Sequence, residues 1–217
     1  MSCRACALAV LASLIAGPMA AAQEPQPSAA QMMDDLMFGR GTIGGPFTLT
    51  DQNGKLRSDN EFRGRLMIVY FGYTFCPDVC PLTLQNVTSA LAKVPDAAKN
   101  VRFLFVTVDP GRDTLKVLGS YVSLFGPEFV GLRGDADQLE RLARRFRIAW
   151  SVSPSDDPAQ YQVTHSSAIY VFDRQGDARL LVPSMASQTP DIDGLAADLT
   201  RLTTEPPSWW SWLRGMV

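Results

Sequence analysis

The chain of 217 residues has only one histidine and four cysteines, so few side chains are available for metal or thiol chemistry. Its 20 Lys and Arg residues nearly balance 22 Asp and Glu residues, which gives a net charge of −2 at pH 7. No basic run interleaves with aromatic residues, so nucleic acid is not an expected partner. No stretch of about 18 apolar residues is present, so a conventional membrane-spanning helix is not expected. The hydrophobic content of 46% is sufficient for one globular domain with appendages.

The first 22 residues have the pattern of an export signal. Arg4 precedes a small apolar core over residues 5–16, Gly17 and Pro18 end that core, and the small residues 20–22 offer a cleavage site. The core, at about 12 residues, is short for a membrane span. We therefore predict a signal peptide over 1–22, with an uncleaved membrane anchor as the alternative.

Cleavage of this signal changes what the cysteines can do. Cys3 and Cys6 would be removed, which leaves Cys76 and Cys80 as the only thiols of the mature chain. One close pair of thiols in an exported protein does not form a disulfide framework. The pair is therefore predicted to be a functional site rather than a structural cross-link.

The two cysteines lie between a predicted strand and a predicted helix. An apolar run over residues 66–71 predicts a buried strand, and apolar residues at helical spacing after Cys80 predict a helix that ends near Lys93, before Pro95. The backbone N–H groups at the start of a helix favour thiolate over thiol. The four-residue spacing is expected to place both sulfurs on one face of the first turn.

Strands alternate with helices along the rest of the chain, which indicates an α/β sheet covered on both faces. The predicted elements are a hairpin over 47–58, a strand over 101–108, a helix over 114–124 capped by Asp113, a strand over 129–132, an amphipathic helix over 135–147, a loop over 153–160, a strand over 163–172 that turns into a second one over 178–182, and a helix over 190–202. Two interpretations compete for Asp109, Arg112 and Asp113, namely turn and cap positions or a surface for a partner.

The domain is predicted to span residues 42–203, with a segment of different character on each side. Residues 23–41 form a flexible lead-in, in which Met32, Met33 and Met37 are either packing residues or soft copper ligands. Residues 204–217 form a tail with three tryptophans, which predicts contact with a membrane interface or a partner, or packing back on the domain.

The single histidine, His165, is predicted to open the strand of the closing hairpin, where it can face the cysteines. Three kinds of site then compete. A structural zinc site normally has four ligands, one more than is available. A dithiol oxidoreductase would use Cys76 and Cys80 alone, since helical i and i+4 positions lie about 6 Å apart, within disulfide reach. A copper site would use all three, because thiolates suit Cu(I) and an imidazole allows Cu(II) as well.

Three segments in order resemble the motifs of the Sco/SenC family. Residues 71–81, FGYTFCPDVCP, are similar to its defining segment, residues 108–114, VDPGRDT, to its second motif, and residues 161–166, YQVTHS, to its third. The resemblance spans about 42–203. It implies a thioredoxin-like fold, with a central mixed sheet, helices on both faces and an N-terminal hairpin.

The resemblance also implies a function. A family member would be a periplasmic copper chaperone, free or attached to the inner membrane, and a monomer. It would deliver Cu(I) or Cu(II) to the copper-A centre of cytochrome c oxidase subunit II or to another periplasmic copper protein. The family's copper ligands correspond to Cys76, Cys80 and His165. Because a chaperone must release its metal, we expect all three ligands at accessible junctions.

Two alternatives to a copper chaperone remain open. A thiol-disulfide oxidoreductase would reduce the client's cysteines through a Cys76–Cys80 disulfide, and a copper or redox sensor would signal through a partner. Related oxidoreductases carry a proline near the position of Ser166 and Ser167, and its absence here weakens the first alternative. Enzyme activity is accordingly not the expected primary role.

Overall fold

The computed structural model describes residues 43–155, 157, 161–187 and 189–206. The strands in these residues are β1 (Thr48–Asp51), β2 (Leu56–Ser58), β3 (Leu66–Gly72), β4 (Val101–Thr107), β5 (Phe129–Arg133), β6 (Trp150–Val152), β7 (Val163–His165), β8 (Ile169–Phe172) and β9 (Ala178–Val182). The helices are α1 (Val79–Lys93), the short α2 (Pro95–Ala98), α3 (Leu115–Val122), α4 (Ala136–Phe146) and α5 (Ile192–Thr204), with one 3-10 turn at Asp59–Phe62.

Seven of these strands form one mixed sheet in the order β2-β1-β5-β4-β3-β8-β9. Strand β3 lies inside it, parallel to β4 and antiparallel to β8. All seven residues of β3 are buried, which explains its uninterrupted apolar sequence, because a strand covered on both faces has no solvent side. The predicted N-terminal hairpin is confirmed as β1 and β2, and it extends the sheet beyond β5.

Helices cover both faces of the sheet, as predicted. Neighbouring residues of a strand point to opposite faces, and the rings of Tyr70 and Phe71 show what lies on each side. Tyr70 contacts Cys80 of α1 on one face, and Phe105 beside it on β4 packs against Tyr121 of α3 at 5.3 Å between ring centres. Phe71 packs against Phe146 of α4 on the other face, at 5.0 Å.

The prediction of one strand over 163–172 is wrong. The segment forms two strands in different sheets, because the chain turns between them, where the Ser166 hydroxyl accepts a hydrogen bond from the Ala168 N–H at 3.3 Å. Strand β7 pairs instead with β6, which the sequence did not predict, in a separate two-stranded sheet. His165 is therefore the last residue of a short strand rather than the first of the closing hairpin.

The predicted cap of α3 is also wrong by one residue. The Thr114 hydroxyl caps the helix by accepting a hydrogen bond from the Val117 N–H at 3.3 Å. Asp113 is fully buried and bonds elsewhere. Helix α4, in contrast, begins as predicted, since Asp135 caps it and exchanges hydrogen bonds with Gln138 in a capping box.

Several predictions concern residues that the structure does not describe. The signal over 1–22, the lead-in over 23–41 with Met32, Met33 and Met37, and the three tryptophans of the tail lie outside the described residues, as do four residues of the loop over 153–160. No helix in the described ranges combines the length and the apolar character that crossing a membrane requires.

Candidate metal centre

The cysteines lie at the carboxyl end of β3, where the chain passes into α1. Gly72 ends the strand, and a Cβ there would lie 2.9 Å from the rings of Tyr70 and Phe105 and 3.1 Å from the Cys80 sulfur. Only a glycine therefore lets Cys80 approach the strand so closely. Helix α1 begins at Val79, so Cys76 belongs to the preceding loop. The prediction that both sulfurs lie on the first helical turn is wrong for Cys76.

The structure brings the three predicted ligands together. Their ligand atoms, two sulfurs and one imidazole nitrogen, all lie within 4.8 Å of one another. The Cys80 Sγ is 3.3 Å from His165 Nε2, and the Cys76 Sγ accepts the backbone N–H of Cys80 at 3.4 Å. Neither cysteine forms a disulfide.

The three side chains differ in exposure. Cys76 and His165 are half-buried, whereas Cys80 is 0% exposed. The expectation that all three are accessible is therefore wrong for Cys80, because its side chain points from α1 onto the sheet. A ligand from solvent can approach the cluster only from the side of Cys76 and His165.

The hydrogen bond of the histidine defines which of its nitrogens is free. His165 Nδ1 lies 2.9 Å from the carbonyl oxygen of Ser166. A carbonyl only accepts, so Nδ1 carries the proton and the lone pair of Nε2 points towards Cys80. The rings of Tyr70 and Tyr73 meet the imidazole edge-on, at 5.9 and 5.8 Å between ring centres. The imidazole is thus oriented for coordination through Nε2.

The pKa values of the two cysteines are shifted in opposite directions. The Cys80 thiol donates a hydrogen bond to the Cys76 sulfur, and together with the N–H groups of the helix start this bond holds the Cys76 pKa well below its usual range. That same hydrogen bond, together with burial, raises the Cys80 pKa. In the metal-free protein these opposite shifts favour a thiolate at Cys76 and a thiol at Cys80, so the predicted effect of the helix start applies to Cys76 alone.

Asp113 fixes the loop that carries Cys76. Its carboxylate accepts hydrogen bonds from the Thr74 N–H at 3.1 Å, the Thr74 hydroxyl at 2.6 Å and the Thr107 hydroxyl at 2.5 Å. Burial raises its pKa. Because Asp109 and Asp113 are both buried, these carboxylates do not form the partner surface considered above. Sequence reasoning also missed Tyr70, Tyr73 and Thr74, which only their position inside the motif, or directly before it for Tyr70, could have indicated.

The three ligand atoms fit a soft metal ion such as Cu(I) better than they fit a structural zinc ion. Two sulfurs and one imidazole nitrogen suit Cu(I), and the imidazole also suits Cu(II). A structural zinc site requires a fourth ligand, and in the part of the chain that is described no further His, Cys, Asp or Glu joins the group.

Comparisons with known proteins lead to one family. The profile of the SCO1/SenC family matches residues 37–203. A SCO2-like protein of Rickettsia prowazekii is 38% identical over 135 residues, 62% of this chain and 66% of that protein. The human mitochondrial protein SCO1 homolog is 33% identical over 142 residues, 64% of this chain and 47% of that protein. The matches thus span between about half and two thirds of these relatives.

Solved structures agree in fold. The structure of Bradyrhizobium japonicum ScoI with copper bound has a TM-score of 0.67 at 36% identity and covers 74% of this chain and 99% of that one. Yeast Sco1 with copper bound has a TM-score of 0.68 at 28% identity, over 79% and 98% of the two chains. The fold shared with them is thioredoxin-like, as the resemblance implied. Since the family profile matches well over half of its residues, this chain belongs to the SCO1/SenC family.

Proposed function

We propose that this protein is a copper chaperone that binds Cu(I) and Cu(II) through Cys76, Cys80 and His165. The observation that carries the proposal is the convergence of three soft or borderline ligand atoms within 4.8 Å of one another. The hydrogen bond that leaves His165 Nε2 free for coordination supports it. Copper bound to the related ScoI and Sco1 proteins supports the choice of metal.

The proposed client is the copper-A centre of cytochrome c oxidase subunit II, or another copper protein of the periplasm, as family membership suggests. The export signal predicted over 1–22 supports a periplasmic location, and without cleavage the same segment would attach the protein to the inner membrane. The different exposure of the ligands supports transfer in a fixed order. A client thiolate would approach beside Cys76 and His165, and buried Cys80 would release copper last.

The first test is a competition titration of the reduced protein with a chromophoric Cu(I) chelator and a Cu(II) chelator. Cys76→Ala and Cys80→Ala should each abolish tight binding, because one thiolate is left. His165→Ala should weaken Cu(II) more than Cu(I), since two thiolates alone hold Cu(I). Replacing Met32, Met33 and Met37 by Leu is the control and should change neither affinity. Full loading of either cysteine variant would exclude this ligand set.

Transfer distinguishes the chaperone from the thiol-disulfide oxidoreductase, which the thiolate–thiol pair of Cys76 and Cys80 keeps in consideration. The copper-loaded protein is mixed with the reduced, copper-free soluble domain of subunit II, and copper should pass to the client. In a second mixture, the reduced metal-free protein meets a client with an oxidised copper-A disulfide. Copper that stays on the chaperone in the first mixture, with rapid disulfide reduction in the second, would identify a reductase.

A further inference from the structure

Arg112 lies at the centre of a partly buried cluster just after β4. Its Nε is 2.5 Å from Asp109 Oδ2, and its Nη1 donates to the carbonyl oxygen of Tyr161 at 2.9 Å. The guanidinium carbon also lies 3.6 Å from the centre of the Tyr161 ring. The Tyr161 hydroxyl completes the cluster by donating to Asp109 Oδ1 at 2.5 Å. Tyr161 is thus held at its backbone, its ring and its hydroxyl.

The same arginine contacts the loop that carries Cys76. Its guanidinium carbon lies 5.1 Å from the ring centre of Phe75 and 5.7 Å from that of Tyr73, within the range of cation–π interactions. A hydrogen bond from the Tyr73 hydroxyl to Gln162 Oε1, at 3.2 Å, joins the two segments directly. Arg112 therefore lies between the residue that precedes Cys76 and a residue four positions before His165.

The strand that carries His165 has little support of its own. Strand β7 has three residues, and its only strand partner in the described residues is β6, also of three residues. An isolated two-stranded sheet is marginally stable. The position of His165 therefore depends on side-chain contacts as well, and Arg112 supplies several of them to Tyr161, two residues before β7 begins. The Arg112–Asp109 ion pair can hold these contacts in a fixed geometry, because the two side chains are only 13% and 4% exposed.

We propose that Arg112, anchored by Asp109, is a positioning residue that holds the segment 161–165 against the cysteine loop and thereby places His165 beside Cys80. Its consequence for copper rests on the proposed function, whereas the positioning itself does not. Since His165 matters more for Cu(II) than for Cu(I), loss of Arg112 should resemble a partial loss of the histidine. Residues that orient a metal ligand typically change metal affinity by about 10- to 100-fold.

The first measurement needs no metal. In the metal-free full chain, Arg112→Gln should accelerate amide hydrogen exchange at residues 161–165 by about tenfold or more. The matched control is Arg179→Gln on strand β9. It removes the ion pair between Arg179 and buried Asp173, 3.2 Å apart, and should leave exchange in 161–165 unchanged. Tyr161→Phe removes only the hydroxyl bond to Asp109 and should give a smaller increase. It also keeps the question answerable if Arg112→Gln fails to fold.

The second measurement separates the two oxidation states of copper. Arg112→Gln should lower Cu(II) affinity by about 10- to 100-fold and weaken the nitrogen signature in the Cu(II) electron paramagnetic resonance spectrum, with little change in Cu(I) affinity. Arg112→Lys should recover only part of the loss. A lysine ammonium lacks the planar guanidinium group that donates to Asp109 and to the Tyr161 carbonyl oxygen at the same time. Arg179→Gln should bind both ions like the wild type.

The outcomes of the two measurements are distinct. Unchanged exchange at 161–165 in a folded Arg112→Gln protein would overturn the proposal, and so would equal losses of Cu(I) and Cu(II) affinity. Faster exchange in Arg112→Gln, in a protein whose wild type binds no copper, would support the positioning role and overturn the proposed function.

Discussion

At the scale of single residues, Cys76 and Cys80 are chemically identical and are placed in opposite environments. Cys76 accepts an N–H from the helix start and is half-buried, whereas Cys80 is fully buried beneath Tyr70. Of the one proton that the two sulfurs share, Cys80 therefore holds the larger part. The thiolate, Cys76, lies on the side from which a client or an oxidant approaches. The reactivity of the site towards thiol reagents should follow from this asymmetry.

The first prediction concerns the pH dependence of alkylation. Because the Cys76 pKa is lowered, the residue stays a thiolate throughout the range from about pH 5 to 8, and its rate with iodoacetamide should hardly change there. An ordinary thiol, with a pKa of about 8.5, gains about tenfold in rate per pH unit. Mass spectrometry of the metal-free protein can follow each cysteine. Cys76→Ser is the control, in which Cys80 should resist modification until the protein unfolds. A tenfold rise per unit at Cys76 would contradict the assignment.

The second prediction concerns the hydroxyl of Tyr70, which donates to the Cys80 sulfur at 3.5 Å. This bond favours the reduced pair, because a disulfide sulfur is a poorer acceptor than a thiol or thiolate. Tyr70→Phe should therefore make the reduction potential of the Cys76–Cys80 disulfide more negative by about 20 mV, the equivalent of about 1 kcal/mol. Equilibration with glutathione or dithiothreitol buffers measures the potential.

The control for Tyr70 is Tyr170→Phe. Tyr170 is another buried tyrosine, on β8, and its hydroxyl donates to the carbonyl oxygen of Phe146 at 2.9 Å. Loss of this hydrogen bond should destabilise the fold without changing the reduction potential of the Cys76–Cys80 disulfide. Equal potentials in the two variants would mean that the Tyr70 hydroxyl does not act on the thiols.

At this scale, the sequence predicted which three residues come together but not the environment of each. Cys76, Cys80 and His165 could be predicted as a group because the sequence has no other histidine and its other two cysteines lie in the predicted export signal. The burial of Cys80 depends on how closely α1 approaches Gly72, and the tautomer of His165 depends on the carbonyl of Ser166. Both are consequences of three-dimensional packing, which composition and spacing do not contain.

At the scale of elements, Asp113 and Thr114 illustrate two neighbouring residues with separate duties. Asp113 accepts three hydrogen bonds from Thr74 and Thr107 and so ties the cysteine loop to the end of β4. Thr114 caps α3. Both residue types favour helix caps, so the sequence could not distinguish them. The difference lies in Thr74 and Thr107, which reach Asp113 only in the folded chain.

The third prediction compares these two residues. Asp113→Ala should lower the free energy of unfolding by about 3 kcal/mol, because it leaves buried donors without an acceptor. It should also weaken copper binding by freeing the loop before Cys76. Thr114→Ala should cost about 1 kcal/mol through the lost cap and leave copper affinity unchanged. Urea unfolding and copper titration measure both effects. A neutral Thr114→Ala would contradict the cap assignment, and an Asp113→Ala protein of unchanged stability and copper affinity would contradict the role given to Asp113.

The strand over 163–172 shows a further limit of sequence patterns at this scale. Thr164 precedes His165 and the polar pair Ser166 and Ser167 follows it, where pairing changes from β6 to β3. Because this interruption is short, the pattern was interpreted as one continuous strand. Strand β6 has only three residues, too few for a period of two to be detected. Where the apolar run was long, as in β3 and β4, the predicted strand was confirmed with nearly the same bounds.

At the scale of the whole molecule, the topology explains why three distant motifs predicted one site. Strands β3 and β4 are parallel neighbours, so the segments that follow them, 71–81 and 108–114, meet at the same edge of the sheet. Strand β8 runs antiparallel to β3, and its beginning lies at that same edge, just after the segment 161–166. Each of the three motifs adjoins the end of a central strand, and all three of these strand ends lie at the same edge of the sheet. The order and direction of the strands therefore bring the motifs together.

The fourth prediction tests the proposed domain bounds of 42–203, together with the extent of the last helix. The described core runs from Ile43 to Leu202, so a fragment of residues 42–206 should unfold cooperatively, with a Tm within a few degrees of that of the chain from 23 to 217.

A fragment ending at 203 tests the end of the last helix, because it would lose Glu205. The Glu205 carboxylate lies 2.8 Å from Arg179 and 2.5 Å from Arg201, and its carbonyl oxygen accepts a hydrogen bond from Arg174 at 2.6 Å. Partly exposed ion pairs contribute modestly, so the loss should be about 1 kcal/mol, or about 2–4 °C in Tm. Calorimetry of the three proteins measures it. If the 42–206 fragment does not unfold cooperatively, residues of the lead-in or the tryptophan tail belong to the core, and the domain is larger than proposed.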